Sequence, residues 1–128
     1  MIAVLDDEAK MRTALRRLLQ LHGYRVALFE SGAELLATYP TASFACILLD
    51  LHMPEVNGFT VLEKLAGSAA PPPVIVVTGH DQPGIAEHVR RLGARAHLTK
   101  PVDEGTLLHA IRSALEPGEP ADTSPNGN

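Results

Sequence analysis

Ala45-Cys46-Ile47-Leu48-Leu49-Asp50 places five consecutive apolar residues directly ahead of a single carboxylate. So apolar a run, short and ended by one acid, reads as the buried central strand of a sheet covered on both faces. Four further runs rich in β-branched and aliphatic residues extend the pattern. They predict strands at 2–5, 25–29, 74–77 and 96–98 beside the one at 45–49.

Helical patterns fill the intervals. The first carries Met11, Leu15, Leu18 and Leu19 on one face and Arg12, Arg16 and Arg17 on a solvated one, and closes at His22-Gly23. The second opens with Ser31 as N-cap and Glu34 three residues on, a capping box, and runs toward Tyr39 until Pro40 stops it. The third follows Asn57-Gly58 with Phe59, Leu62 and Leu65 at helical spacing. The fourth follows Pro83-Gly84 with Ile85, Val89 and Leu92 and ends at Gly93. The fifth runs from the N-cap Asp103 through Leu107, Leu108, Ile111 and Leu115 to Pro117-Gly118. Strands alternating with helices imply right-handed βαβ crossovers, hence a doubly wound five-stranded, mostly parallel α/β sheet. Ligands in such sheets bind beyond the carboxyl ends of the strands, where the strand order reverses.

Composition narrows the function. A chain of 128 residues, 45% of them apolar, supports one core and leaves no room for a second folded domain. The formal charge of −4 argues against a surface that neutralises many phosphates, so no direct nucleic-acid partner is expected. The single cysteine, Cys46, lies inside an apolar run and reads as a buried thiol. No stretch is long and apolar enough to span a bilayer, and the start lacks a basic signal region, so no membrane and a cytoplasmic location are expected. Residues 117–128 hold Pro, Gly and acid but no large apolar side chain. They read as a disordered tail or cut linker behind a domain of residues 1–116. Pro71-Pro72-Pro73 extends the loop into the fourth strand.

The polar residues that end the strands carry the chemistry: Asp6 and Asp7 after the first, Asp50 after the third, Thr78 after the fourth and Lys100-Pro101 past the fifth. Three carboxylates brought together repel and require a counter-cation. Oxygen ligands of this kind suit Mg²⁺, with Mn²⁺ as a substitute. A carboxylate can attack phosphorus if charge on the phosphoryl oxygens is neutralised, a task that Mg²⁺, Lys100 and the Thr78 hydroxyl would divide. Asp50 stands alone and reads as the nucleophile, with Asp6 and Asp7 as metal ligands. An Asp after a strand also serves as a helix N-cap, which leaves that alternative open for Asp6 or Asp7 taken singly.

In these residues the sequence resembles the receiver domain of two-component response regulators, over residues 2 to about 116. Val-Leu-Asp-Asp-Glu at 4–8 is similar to that family's acidic pair, and Leu-Leu-Asp-Leu-His-Met-Pro at 48–54 with Gly58 to its phosphoacceptor strand and loop. Val-Thr-Gly at 77–79 matches the switch hydroxyl, and Thr-Lys-Pro at 99–101 the lysine. The resemblance implies a flavodoxin-like (βα)5 sheet of order 2-1-3-4-5 and phosphorylation at Asp50. It further implies metal held by Asp6, Asp7, Asp50 and the His52 backbone carbonyl, phosphoryl contacts from Thr78 and Lys100, and a cis peptide before Pro101. The family's switch aromatic, three residues before the lysine, is replaced by His97. That residue would either rotate between exposed and buried states, with some pH sensitivity, or be a plain half-exposed strand residue. His52 and His80, two residues beyond Asp50 and Thr78, would tune phosphate lifetime or be loop residues without kinetic effect. His22, His88 and His109 read as surface residues.

The resemblance implies a histidine kinase or histidine phosphotransferase as phosphodonor, docking on the first helix near Leu15, Leu18 or Leu19. Output would pass through the face formed by the fourth helix, fifth strand and fifth helix, where His88, Arg90, Arg91 and Arg95 offer a basic patch to an acidic protein or a second copy. A stand-alone regulator is expected, with a receiver cut from a hybrid kinase or DNA-binding regulator as the alternative. A phosphatase of the haloacid dehalogenase type would need a second acid two residues after the nucleophile, where this chain has His52. A signalling domain is therefore expected rather than an enzyme. With every site position filled, nothing recommends a non-phosphorylated pseudo-receiver.

Overall fold

The computed structural model describes residues 1–38, 44–51, 58–68, 70–79 and 83–115. Five strands, β1 (Ile2–Leu5), β2 (Val26–Phe29), β3 (Cys46–Asp50), β4 (Val74–Thr78) and β5 (Ala96–Thr99), alternate with five helices. The helices are α1 (Ala9–Leu21), α2 (Gly32–Thr38), α3 (Gly58–Ala66), α4 (Ile85–Arg91) and α5 (Glu104–Leu115). All strand pairs are parallel in the order β2-β1-β3-β4-β5, so the sheet is the doubly wound one that the alternation requires.

Side chains alternate across the sheet with period two, and each parity has its own core. Ala3, Leu5, Ile47, Leu49, Val74 and Val76 pack with Leu35, Val61, Leu62, Leu65 and Val89. On the other face Ile2, Val4, Cys46, Leu48 and Ile75 meet Leu19 and the α5 residues Leu107, Leu108, Ile111 and Ala114. Every residue of β1, β3 and β4 is buried. That explains why these strands read as continuous apolar runs. Burial also pushes the Cys46 thiol up to about 12, against weaker opposing effects of a backbone hydrogen bond at Ile47 and the charge of Arg95.

Several boundaries move. Strand β3 extends through Asp50, and β4 through Thr78, so both polar residues belong to the ladder, paired with Val77 and Thr99 respectively. Strand β2 starts at Val26 rather than Arg25. In α2 the Ser31 hydroxyl accepts from the Glu34 N–H at 3.1 Å, but the Glu34 carboxylate returns to the Glu30 N–H at 3.3 Å, one residue before the cap. The α5 cap forms as read, Asp103 accepting from the Thr106 N–H at 2.9 Å. Of the four apolar residues on α1 only Leu19 is fully buried, while the exposed apolar one is Leu21. Tyr39, Pro40, His52, Asn57, His80, Pro117 and Gly118, with the whole segment 117–128, lie outside the described residues.

Gly58 has a steric reason to be glycine. A Cβ there would lie 2.5 Å from the Leu51 Cα and 2.9 Å from the Asp50 carbonyl oxygen, so only a bare backbone lets α3 start against the end of β3. The Gly58 N–H donates to the Leu51 carbonyl at 3.2 Å, fixing that approach. No helix among the described residues is long and apolar enough to cross a membrane.

Candidate functional site

Strands β1 and β3 are neighbours in parallel register, Leu5 opposite Leu49, so one step further on Asp6 and Asp50 emerge side by side. This is the switch point, because the chain leaves β1 toward β2 on one side while β3 continues toward β4 on the other. Asp6 and Asp50 are buried and Asp7 is exposed. Oxygens of all three carboxylates lie within 4.8 Å of one another.

Lys100 reaches this cluster from the far side of β4. Its backbone N–H donates to the Thr78 carbonyl at 2.8 Å. Its Nζ lies 3.1 Å from Asp6 Oδ2, 3.5 Å from Glu8 Oε1 and 3.6 Å from Asp50 Oδ2. Burial works to lower the pKa of this ammonium. The hydrogen bond to Asp6 and the fields of Asp50, Asp6 and Glu8 together outweigh it and hold the group above its ordinary value. The Lys100–Pro101 peptide is cis.

Asp6 is held at four points. Its N–H donates to the Phe29 carbonyl at 3.3 Å, its Oδ1 accepts from the Glu8 N–H at 2.9 Å, and its Oδ2 accepts from Lys100 at 3.1 Å. Its backbone carbonyl accepts from Arg12 Nη1 at 2.6 Å. Two contributors are not legible from pattern alone: Glu8 stands in an acidic run, and Arg12 falls on the polar stripe of α1, which the pattern reads as solvated, whereas it is half-buried against the end of β1.

Thr78 is buried at the end of β4, one residue past Val77, the register partner of Asp50. His97 pairs with Val76 on β5 and is half-buried. Among the described residues its Nε2 is the buried side-chain atom without a hydrogen-bond partner. His22, His88 and His109 are exposed, as expected of surface residues, and His88 also packs on Phe59 of α3 with ring centroids 5.1 Å apart.

The donor set tests the metal implied by the resemblance. Asp6, Asp7 and Asp50 offer hard, all-oxygen ligands, and with Glu8 nearby the negative charge exceeds what Lys100 neutralises. These residues fit Mg²⁺ or Mn²⁺.

Fold and site thus define a flavodoxin-like α/β domain with an acidic, lysine-bearing pocket at its switch point. The family model for the response regulator receiver domain matches residues 2–112, and the chain belongs to that family of signalling domains. Among curated proteins it is 36% identical over 123 residues to the transcriptional regulatory protein FixJ of Bradyrhizobium diazoefficiens, covering 96% of this chain and 60% of FixJ. It is 37% identical over 116 residues to protein PilH of Pseudomonas aeruginosa, covering 89% of this chain and 96% of PilH. Among solved structures, a CheY-like receiver domain protein from Methanospirillum hungatei superposes with a TM-score of 0.83 at 28% identity, covering 89% of this chain and 91% of that one. The chain therefore spans three fifths of FixJ and nearly all of PilH.

Proposed function

We propose that residues 1–116 form a phosphoacceptor switch that takes a phosphoryl group onto Asp50 from the phosphohistidine of a histidine kinase or histidine phosphotransferase. The observation that carries this reading is the Lys100 ammonium set between the buried carboxylates of Asp6 and Asp50, with Asp7 beside them. An Asp50 carboxylate oxygen attacks phosphorus in line. The new O–P bond forms as the N–P bond breaks, and the electron pair leaves with the donor imidazole, which takes up a proton. Lys100, 3.6 Å from Asp50, follows the negative charge as it spreads over the transferred oxygens, and the Thr78 hydroxyl donates from the neighbouring strand end. Asp6, Asp7 and Asp50 would hold Mg²⁺ or Mn²⁺, which when bound neutralises phosphoryl charge. The His52 carbonyl is proposed as a further ligand, and His52 and His80 as groups that set phosphate lifetime.

Docking of the donor falls to α1, which bears a surface hollow of about 310 Å³ lined by Ala9, Lys10, Thr13, Ala14 and Arg17. Leu21 is its exposed apolar contact; the buried Leu19 is not available for one. Output runs through the α4-β5-α5 face toward a downstream protein or a second copy. His88, Arg90 and Arg91 are exposed there, and Arg95 Nη2 donates to the Ser113 carbonyl at 3.3 Å, tying β5 to α5. His97 sits on β5 where it can respond to Thr78. The same chemistry would serve a stand-alone regulator of PilH's length, of which the chain covers 96%, or a receiver within a longer regulator such as FixJ, of which it covers 60%.

Intact-mass spectrometry after incubation with Mg²⁺ and acetyl phosphate tests the reading, beside Asp50→Asn and an EDTA control. One phosphoryl adduct, absent from both controls, is expected. No adduct on well-folded protein refutes it.

A further inference from the structure

Arg12 lies in the first turn of α1, just past the acid run Asp6-Asp7-Glu8 that ends at the N-cap, yet its side chain pairs with none of these carboxylates among the hydrogen bonds of the described residues. Its guanidinium reaches out of the helix to the Asp6 carbonyl at 2.6 Å. Strand β1 ends at Leu5, so the Asp6 carbonyl lies past the last paired residue of the strand, and a buried carbonyl there needs a donor from elsewhere. The same Asp6 carbonyl opens the planar peptide that ends at the Asp7 Cα. Fixing the direction of that carbonyl therefore fixes the plane from which Asp7 departs. Among the described residues, the other three contacts of Asp6 act on its N–H and its carboxylate.

We infer that Arg12 is a positioning residue for the metal site: by holding the Asp6–Asp7 peptide plane it sets how the Asp7 carboxylate is presented beside those of Asp6 and Asp50. The inference rests on the phosphoacceptor reading, in which these three acids bind Mg²⁺. It has a sign that separates it from plain electrostatics. A nearby guanidinium repels a dication, so if charge were its whole influence, removing Arg12 would tighten metal binding. If Arg12 positions Asp7, removing it weakens binding, by roughly tenfold, as removal of outer partners of metal ligands does.

The test is direct Mg²⁺ titration calorimetry on the full chain, repeated with Mn²⁺ by electron paramagnetic resonance, for the wild type, Arg12→Met, Arg12→Gln, Arg12→Lys and Asp7→Asn. Thermal melts in EDTA accompany each. Weaker binding in Arg12→Met with a metal-free melt close to wild type, partly recovered in Arg12→Lys, supports the inference. Should Arg12→Met fail to fold, Arg12→Gln carries the same expected sign. Unchanged or tighter binding in the neutral variants overturns it, and the phosphoacceptor reading survives provided Asp7→Asn still loses the metal. If the wild type binds no Mg²⁺, both fall together.

Discussion

Replacing Lys100 by Met removes one charge while keeping most of the stem that packs beneath it. The ammonium is 3.1 Å from Asp6 and 3.6 Å from Asp50, both buried, and its own side chain is only 17% exposed. Removing one partner of a buried pair typically costs about 3–5 kcal/mol because the other charge is left uncompensated. The residual exposure of Lys100, together with the exposed Glu8 as its third partner, places this case at the low end, about 3 kcal/mol. For a domain of this size that corresponds to a fall in Tm of about 12 °C in EDTA. Mg²⁺ offsets part of this loss. Without the competing ammonium the carboxylates hold a dication more tightly, each tenfold gain in affinity being worth about 1.4 kcal/mol, and bound ligand stabilises the folded state by mass action. The gap between variant and wild type should therefore shrink as Mg²⁺ is raised. Circular-dichroism melts at low ionic strength, with and without Mg²⁺, read both effects. A variant that melts within about 4 °C of wild type in EDTA, or a gap that Mg²⁺ leaves unchanged, refutes the view that Lys100 neutralises these acids.

Three further outcomes are expected. Gly58→Ala drives a Cβ into the Leu51 backbone at 2.5 Å and should cost about 3 kcal/mol by urea unfolding, as overpacking against immobile backbone does; a loss below 0.5 kcal/mol, on the order of a neutral surface change, would refute the clash. His97→Leu removes an Nε2 that is buried without a partner among the described residues and should raise stability by about 1 kcal/mol, whereas a clear loss would show that this nitrogen is hydrogen-bonded in solution. At alkaline pH two groups act in the same direction. The folded Cys46 thiol is pushed from 9.0 to about 12, so its contribution is complete below pH 9 and is lost as the pH rises toward 12, while Lys100, raised above its ordinary value, loses its contribution as the pH passes through its folded pKa. Cys46→Ala should flatten the stability profile above pH 9, and a thiol reagent at pH 8 should label wild-type Cys46 only as fast as the chain opens.

Much of this was legible in the chain because it depends on local pattern. The all-apolar runs at 2–5 and 45–49 come from strands whose two faces are both covered, and Gly23 and Gly93 close α1 and α4 with φ of 88° and 113°, where side-chain-bearing residues are strained. The Asp6, Asp7, Asp50, Thr78 and Lys100 set was readable because parallel strands in a doubly wound sheet deliver their carboxyl ends to one edge. Local pattern ends the strands one residue short of Asp50 and Thr78, since whether a polar residue joins the ladder depends on the neighbouring strand, not on its own side chain.

Sequence alone determined the order of elements, the acid and base identities at the strand ends and the family, all properties of short-range pattern and residue chemistry. Tertiary structure alone decided that Lys100 leans on Asp6 and Glu8 as well as Asp50, that Arg12 turns back to the Asp6 carbonyl, and that His97 buries a nitrogen with no partner among the described residues. Those outcomes depend on distances between residues up to 94 positions apart, and on which buried groups find partners once the sheet has closed.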